Sequence, residues 1–406
     1  MKAVGLIVEY NPLHNGHLHH IEQARVKSNA EVVIAVMSGN FLQRGEPAIV
    51  DKFTRAKMAV KQNVDIVIEL PIVYTIQHSD IFAFAAIQIL NKFQVTDIIF
   101  GSEHGDIQAF NLIWQEINCN KQKYQAVLTE QLKQGNNYPQ ANKVAIEAVC
   151  SSSPIDLHKP NNILGFSYLK AQKKINPKIK LDTIKRVQAD YHQTQVSQPI
   201  SSATSIRNQL EQFRMINSYK ELSMPLTSYS LLGDYQDISG VFHRWELYYP
   251  FLKYRILSDS IEQLRLINGM TEGLEYRLKA KIVESKSFAE FIEKVQTKRY
   301  TKTRLQRLFI HILLQLTKQQ VNDQLKQIDQ INAFRLLAMT NQGQGYLNQL
   351  KKKTDLKMIT QLKKNLSDRF VIDEKASLIY YLPLNPESQL FLRKQEFSPP
   401  FIMSKD

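Results

Sequence analysis

The sequence predicts an α/β fold, a parallel sheet with crossover helices, followed by a mainly α-helical and basic C-terminal region. Three observations carry that expectation. Up to about residue 210, apolar runs of strand length alternate with helical patterns, as βαβ units require. The first run breaks into a turn that opens directly onto a helix, the commonest phosphate-binding corner of such sheets. Beyond about residue 210 the alternation gives way to helices without strands between them.

The first strand is the apolar run Ala3 to Val8, which stops at Asn11-Pro12, and a helical pattern starts around Asn15. N–H groups at a helix start lack intrahelical partners, so those here are expected to face the turn. The stretch reads Ile7-Val8-Glu9-Tyr10-Asn11-Pro12-Leu13-His14-Asn15-Gly16-His17-Leu18-His19-His20. His14 and His17 lie three apart, so both imidazoles can face one anion. Gly16, without a Cβ, lets a nucleotide approach the backbone. A βα turn that merely contains histidines is the bland reading. The H-x-G-H spacing nevertheless falls where a nucleotide site needs a strand-to-helix turn.

Glu31 to Met37 reads as a buried parallel strand. It ends in the polar loop Ser38-Gly39-Asn40-Phe41-Leu42-Gln43-Arg44-Gly45-Glu46-Pro47, which should border the same cleft, because ligands of doubly wound sheets sit beyond the carboxyl ends of the strands. A helix over 51–62 follows, with Asp51 as its cap. Val64 to Pro71 is a third strand, Asp80 to Lys92 a third helix, and Asp97 to Phe100 a fourth strand running into Gly101-Ser102-Glu103. Residues 107–150 are expected to be helices that decorate the core. A further helix starts at Asn161-Asn162, and Asp182 to Val187 is expected to be a fifth strand with a basic tip. In Ile200 to Arg207 hydroxyl residues precede an apolar-periodic helix, a composition suited to capping and to anions.

The chain has 406 residues, enough for two or more domains, and we expect one over 1–212 and a second region over 213–406. No apolar run approaches the roughly 20 residues that span a bilayer, and the strand-like N-terminus with its early Glu9 is not a signal peptide. Cys119 and Cys150 have no CxxC partner, which excludes a disulfide framework and a cysteine zinc site and points to a cytoplasmic setting. Net charge is +3 over residues 1–250 and +11 over 251–406, so the basic excess is C-terminal and suits a polyanionic partner better than a nucleotide alone. The amphipathic pattern from Arg299 to Leu314 gathers Arg299, Lys302, Arg304 and Arg307, which makes it the candidate RNA contact; a solvated helix face is the alternative. Lys351-Lys352-Lys353 and Lys363-Lys364 add basic points. Four histidines in seven positions raise the question of a metal, but no carboxylate or cysteine sits nearby at ligand spacing, so none is expected.

Two imidazoles at a helix start, an arginine and a hydroxyl-rich second helix start would stabilise the charge that develops on an α-phosphoryl group and on departing pyrophosphate. The paired motifs His14-Asn15-Gly16-His17 and Ser202-Ala203-Thr204-Ser205-Ile206-Arg207 resemble those of the HIGH-type nucleotidyltransferase superfamily. The resemblance implies a Rossmann-like nucleotidyltransferase domain. The extended segments from Glu9 to His17 and from Met37 to Pro47 are similar to a narrower family, the tRNA(Met) cytidine acetate ligases. So are Phe100-Gly101-Ser102-Glu103, Pro160 to Gly165 and the late Ala376-Ser377-x-Ile379-Tyr380. Asn15 departs from H-I-G-H as it does in that family.

This resemblance implies that acetate attacks the α-phosphorus of ATP, giving acetyl-adenylate and pyrophosphate. The wobble cytidine of elongator tRNA(Met) would then take the acetyl group as N4-acetylcytidine, without acetyl-CoA. It implies ATP contacts along Ile7 to His20, with His14 and His17 catalytic at the phosphates, and further contacts at Gly101, Asn162 and Arg186, with Asn161 adjacent. Thr204 and Arg207 match the phosphate-holding second motif. Mg2+ is expected with ATP; neither a membrane nor an obligate protein partner is expected. On the residues alone, Asn161-Asn162 would serve equally well as a helix cap and Arg186 as a surface charge. A small-molecule adenylyltransferase of the cofactor-synthesis type shares the corner and is the alternative reading. The residues beyond 210 and their charge speak against it.

Overall fold

The computed structural model describes residues 1–136, 138–150, 155–157, 159–186, 203–212, 223–363 and 367–404. Val187, Ile200, Ser201, Ser202 and Lys364, all used above, lie outside the described residues, as does the expected boundary at 212/213 on its C-terminal side.

Five strands run as expected: β1 (Ala3–Val8), β2 (Val32–Ser38), β3 (Ile66–Leu70), β4 (Asp97–Ser102) and β5 (Lys180–Lys185). They lie in the order β5-β4-β1-β2-β3 and all four pairings are parallel. β2 is buried along its whole length and β1 along all but one residue, as near-continuous apolar runs covered on both faces demand. Helices Asn15–Ser28, Lys52–Lys61 and Ser79–Lys92 make the crossovers, and Asp51 caps the second by accepting from Thr54 N. Chain order reverses between β1 and β4, so the crevice beyond their carboxyl ends is the ligand position this topology offers.

The sheet does not stop at β3. Three strands that the sequence pattern does not announce extend it: β6 (Ala333–Thr340), antiparallel to β3, then β7 (Lys357–Ile359) and β8 (Phe401–Met403), both parallel to β6. The region beyond 212 is mainly helical, yet it also completes the sheet begun by the first 102 residues, so the 212/213 division is not a division of the sheet. The junction is specific. Thr340 N donates to Asp65 O at 2.9 Å and Thr340 Oγ1 to Asp65 Oδ1 at 3.0 Å, while Phe334, Leu336, Leu337, Ala338 and Met339 join the core. The basic helix is Lys302–Leu313, capped by Thr301; Arg299 precedes it.

Candidate active site

The turn after β1 is locked from beneath by Arg55, which is wholly buried and donates to the carbonyls of Glu9, Ser38, Gly39 and Val50. Asn11 Oδ1 accepts from Ile49 N at 2.7 Å, and its carbonyl accepts from Arg207 NH1 at 3.0 Å. One buried guanidinium and one buried amide thereby fix the backbone that presents the histidines.

His14 is the N-cap of helix Asn15–Ser28, with only 3% of its surface exposed. Its Nδ1 accepts from Gly16 N at 3.1 Å, and its own N–H donates to His17 Nδ1 at 3.3 Å. A ring nitrogen that accepts carries no proton, so in both neutral imidazoles the proton sits on Nε2. The rings stack with centroids 3.8 Å apart, and Tyr10 meets His17 edge-on at 5.1 Å. His14 Nε2 is buried and has no hydrogen-bond partner among the described residues, an arrangement suited to a ligand acceptor. Burial first, then Arg186 and Arg207, push His14 down to about 4. His17 is lowered by burial, His14 and Arg186. Both rings are therefore neutral donors near neutral pH.

The expectation of free backbone N–H groups at this helix start is corrected. Asn15 N donates to Ser223 O at 2.9 Å, Gly16 N to the His14 ring and His17 N to His14 O at 2.8 Å. The His14 cap and the Ser223 carbonyl satisfy them, so the anion-seeking donors of this corner are side chains.

From β4, Gly101 brings the strand close to Arg186: a Cβ there would sit 3.3 Å from Arg186 Cγ. Asn161 and Asn162 are not caps; Lys159 holds that position in helix Pro160–Ile175. Asn162 Oδ1 instead accepts from Glu103 N and His104 N, both at 3.1 Å, while the Glu103 carboxylate accepts from Asn161 N, Asn161 Nδ2 and Asn162 N. Arg186 reaches Asn161 Oδ1 at 3.4 Å from the end of β5. In the second motif Thr204 Oγ1 accepts from Arg207 NH2 at 3.3 Å, so Thr204 orients the arginine that approaches Glu46 at 3.8 Å.

His14, His17, Gly101, Asn161, Asn162, Arg186, Thr204 and Arg207 thus meet at one corner. Of the rest, Ile7 and Val8 belong to β1, Tyr10, Pro12 and Leu13 are buried beneath the turn, and Leu18 and His19 are half-buried on the helix. His20 holds Ile99 O of β4 at 3.0 Å and is lowered to about 4 by burial. Among the described residues no hydrogen bond or ion pair joins Arg299, Lys302 or Arg304 to this corner; Arg304 instead donates to Arg299 O. Arg307 approaches the corner, 3.5 Å from Gln43 O on the loop after β2.

The sequence-derived site lacks Arg44 and Glu103. Arg44 is exposed on that loop and close enough to add its charge to the neighbourhood of both Arg186 and Glu9. Its position in a loop expected to border the cleft was the available signal.

A parallel sheet with imidazole donors and two arginines at its β1/β4 switch point defines a nucleotide-handling enzyme of the HIGH class. A family model described as "HIGH Nucleotidyl Transferase" matches residues 1–395. Proteins named tRNA(Met) cytidine acetate ligase are similar along the whole length. That of Oceanobacillus iheyensis is 42% identical over 99% of this chain and 100% of its own, and that of Bacillus subtilis 40% over 98% and 96%. Crystal structures of Thermotoga maritima TmcAL, one without ligand and one bound with alpha-thio ATP, superpose with a TM-score of 0.88 at 32% identity over 100% of both chains. The chain belongs to the tRNA(Met) cytidine acetate ligase family of HIGH nucleotidyltransferases.

Proposed function

We propose that this protein is an ATP-dependent ligase that forms N4-acetylcytidine at the wobble position of elongator tRNA(Met) from acetate, through acetyl-adenylate. One observation carries the chemistry: two stacked imidazoles whose hydrogen bonds leave Nε2–H as the donor, one of them buried and without a partner among the described residues, beside Arg186 and Arg207. Neutral donors and guanidinium groups suit the non-bridging oxygens of a polyphosphate. An acetate oxygen would attack the α-phosphorus, and the bond to pyrophosphate would break with its electron pair leaving on that group. Positioning and charge stabilisation supply the catalysis, with no covalent enzyme intermediate.

Ile7 to His20, Gly101, Asn161, Asn162, Arg186, Thr204 and Arg207 are the proposed ATP site, with His14 and His17 at the phosphates. Mg2+ would enter on the ATP phosphates; among the described residues no group of three His, Cys, Asp or Glu side chains is placed to hold a metal. Arg299, Lys302, Arg304 and Arg307 are the proposed tRNA contacts. The Arg299 and Arg304 guanidinium groups lie over the Tyr300 ring at 5.8 and 4.9 Å. Burial and then Arg304 push Arg307 down to about 10, a crowding of cations that a phosphate would relieve. The reading places the protein in the cytoplasm; no described helix is long and apolar enough to cross a membrane.

Incubation with ATP, radiolabelled acetate and unmodified elongator tRNA(Met), followed by nucleoside analysis, tests the reading. Label in acetylcytidine is expected. Pyrophosphate exchange that needs another small substrate, with no label in RNA, would favour the cofactor-synthesis alternative.

A further inference from the structure

We infer that Glu9 is the general base of the second half-reaction, accepting the proton that the cytidine N4 amine loses as it takes the acetyl group. The inference rests on the ligase reading above and adds to it a residue with a chemical step. The N4 nitrogen bonds to the acetyl carbonyl carbon. The bond from that carbon to the phosphate oxygen breaks, its electron pair leaving on AMP, and one N4 proton passes to the Glu9 carboxylate.

Glu9 is built as a fixed base. Its carbonyl accepts from Arg55 NH1 at 2.6 Å, so a buried arginine holds the backbone at the end of β1. Its Oε1 accepts from Gln43 N at 2.8 Å, which fixes the carboxylate plane and leaves Oε2 without a hydrogen-bond partner among the described residues. The side chain is half-buried, next in chain to the turn that carries His14 and His17. Gln43 has the basic helix on its other side, Arg307 NH1 lying 3.5 Å from Gln43 O. A base presented from the proposed tRNA face therefore arrives beside Glu9 and the nucleotide corner together.

The other candidates at the corner are committed. Glu103 accepts three N–H donors from Asn161 and Asn162, and Glu46 faces Arg207 at 3.8 Å. His14 and His17 are made weak bases by burial and by the arginines. Glu9 moves the opposite way: burial raises its pKa and strengthens it as a base. Around it lie Arg44, Glu46 and Arg55 from the loop and helix after β2, and Tyr168 from helix Pro160–Ile175. Burial, with the Glu46 charge, outweighs the Gln43 N–H and the two arginines, which lower it.

The test isolates the second half-reaction, with chemically prepared acetyl-adenylate and unmodified tRNA(Met) mixed with the full-length enzyme in single turnover. Glu9→Gln keeps an acceptor for Gln43 N and removes the basicity. Transfer should fall by at least about 10²-fold more than acetate-dependent ATP–pyrophosphate exchange falls, the usual scale of a lost general base. The wild-type rate should rise with pH to a plateau, and Glu9→Gln should lose that acid limb. Glu9→Asp, which keeps a carboxylate, should recover part of the transfer. Equal losses in both half-reactions, or transfer by Glu9→Gln within about threefold of wild type with its acid limb intact, would overturn the assignment. Absence of transfer by the wild-type enzyme itself would instead overturn the ligase reading.

Discussion

Two hydrogen bonds to ring nitrogens decide which protons His14 and His17 can offer, and neither is visible in the motif. The spacing H-x-G-H announces imidazoles at a helix start; that each Nδ1 is an acceptor follows only from the cap geometry. Replacing either histidine by Ala removes one Nε2–H donor from the phosphates. Acetate-dependent pyrophosphate release is expected to fall by about 10²- to 10³-fold, the scale of a lost oxyanion donor, while tRNA affinity by filter binding stays close to wild type. The same geometry sets a pH dependence. His14 has its pKa lowered to about 4 in the free protein by burial and by Arg186 and Arg207. A bound polyphosphate is an opposite charge and raises it, so this ring binds a proton more readily in the complex than in the free protein. At this ring binding then takes up protons as pH falls towards that value, and affinity strengthens on the acid side of neutrality while near neutral pH the ring stays a neutral donor. Calorimetry of ATP binding in buffers of different ionisation enthalpy should show uptake, smaller in His14→Gln. The roles of Arg44 and Glu103, and the Glu9 oxygen left without a partner among the described residues, depend on which loops meet, which local spacing does not encode.

Among elements, β1 to β4 and their crossover helices are legible because each strand is an apolar run with helical periodicity between runs, and β5, half of whose residues are charged, follows from the alternation of units. β6 is not. Its run Phe334-Arg335-Leu336-Leu337-Ala338-Met339 carries a charge that looks exposed, yet Arg335 is 3% exposed and donates to Glu396 O at 2.7 Å. A partner 61 residues away turns an apparent surface charge into core. β7 and β8 are three residues each, too short for periodicity to register. The loop after β2 was foreseen as a cleft border but not as the seat of the basic helix. Gly45 has φ +79° and packs against the backbone of Gln306 and Arg307, and its carbonyl accepts from Trp245 Nε1 at 2.9 Å. Gly45→Ala places a Cβ in a left-handed residue and against that helix backbone. The conformation alone costs about 1–2 kcal/mol, and the clash must also shift either the loop or helix Lys302–Leu313. We expect a melting temperature lowered by several degrees and tRNA affinity reduced more than ATP affinity, measured by thermal denaturation and by separate titrations.

Across the whole molecule, the catalytic sheet and the C-terminal segment are joined by a buried ionic cluster. Lys52 Nζ lies 2.9 Å from Glu69 Oε2 and 2.8 Å from Glu396 Oε1, and Arg335 NH2 lies 3.6 Å from Glu396 Oε2. Burial works against the Lys52 ammonium, but Glu396 and Glu69 hold its pKa above the ordinary lysine value. Ser377 donates to Glu396 at 2.6 Å and accepts from Asn40 Nδ2 at 3.2 Å, which ties the cluster to the loop bordering the active site. Lys52 and Asn40 belong to the first half of the chain, Arg335, Ser377 and Glu396 to the second, so the nucleotide corner depends on a helix, Pro386–Phe397, at the far end of the sequence. Lys52 and Arg335 face Glu69 and Glu396, with Asp373 near enough to feel Glu69 and Lys52; removing Glu396 takes from the buried Arg335 its carboxylate, at a cost of about 3–5 kcal/mol. Glu396→Ala should therefore lower the denaturation midpoint sharply and weaken ATP binding, because Asn40 and its loop lose their anchor. Glu396→Gln keeps the shape and some of the hydrogen bonds and should lose less of both. If Glu396→Ala unfolded at the wild-type midpoint, the cluster would not be what couples the two halves. If stability fell while ATP affinity stayed unchanged, the coupling would stop short of the loop.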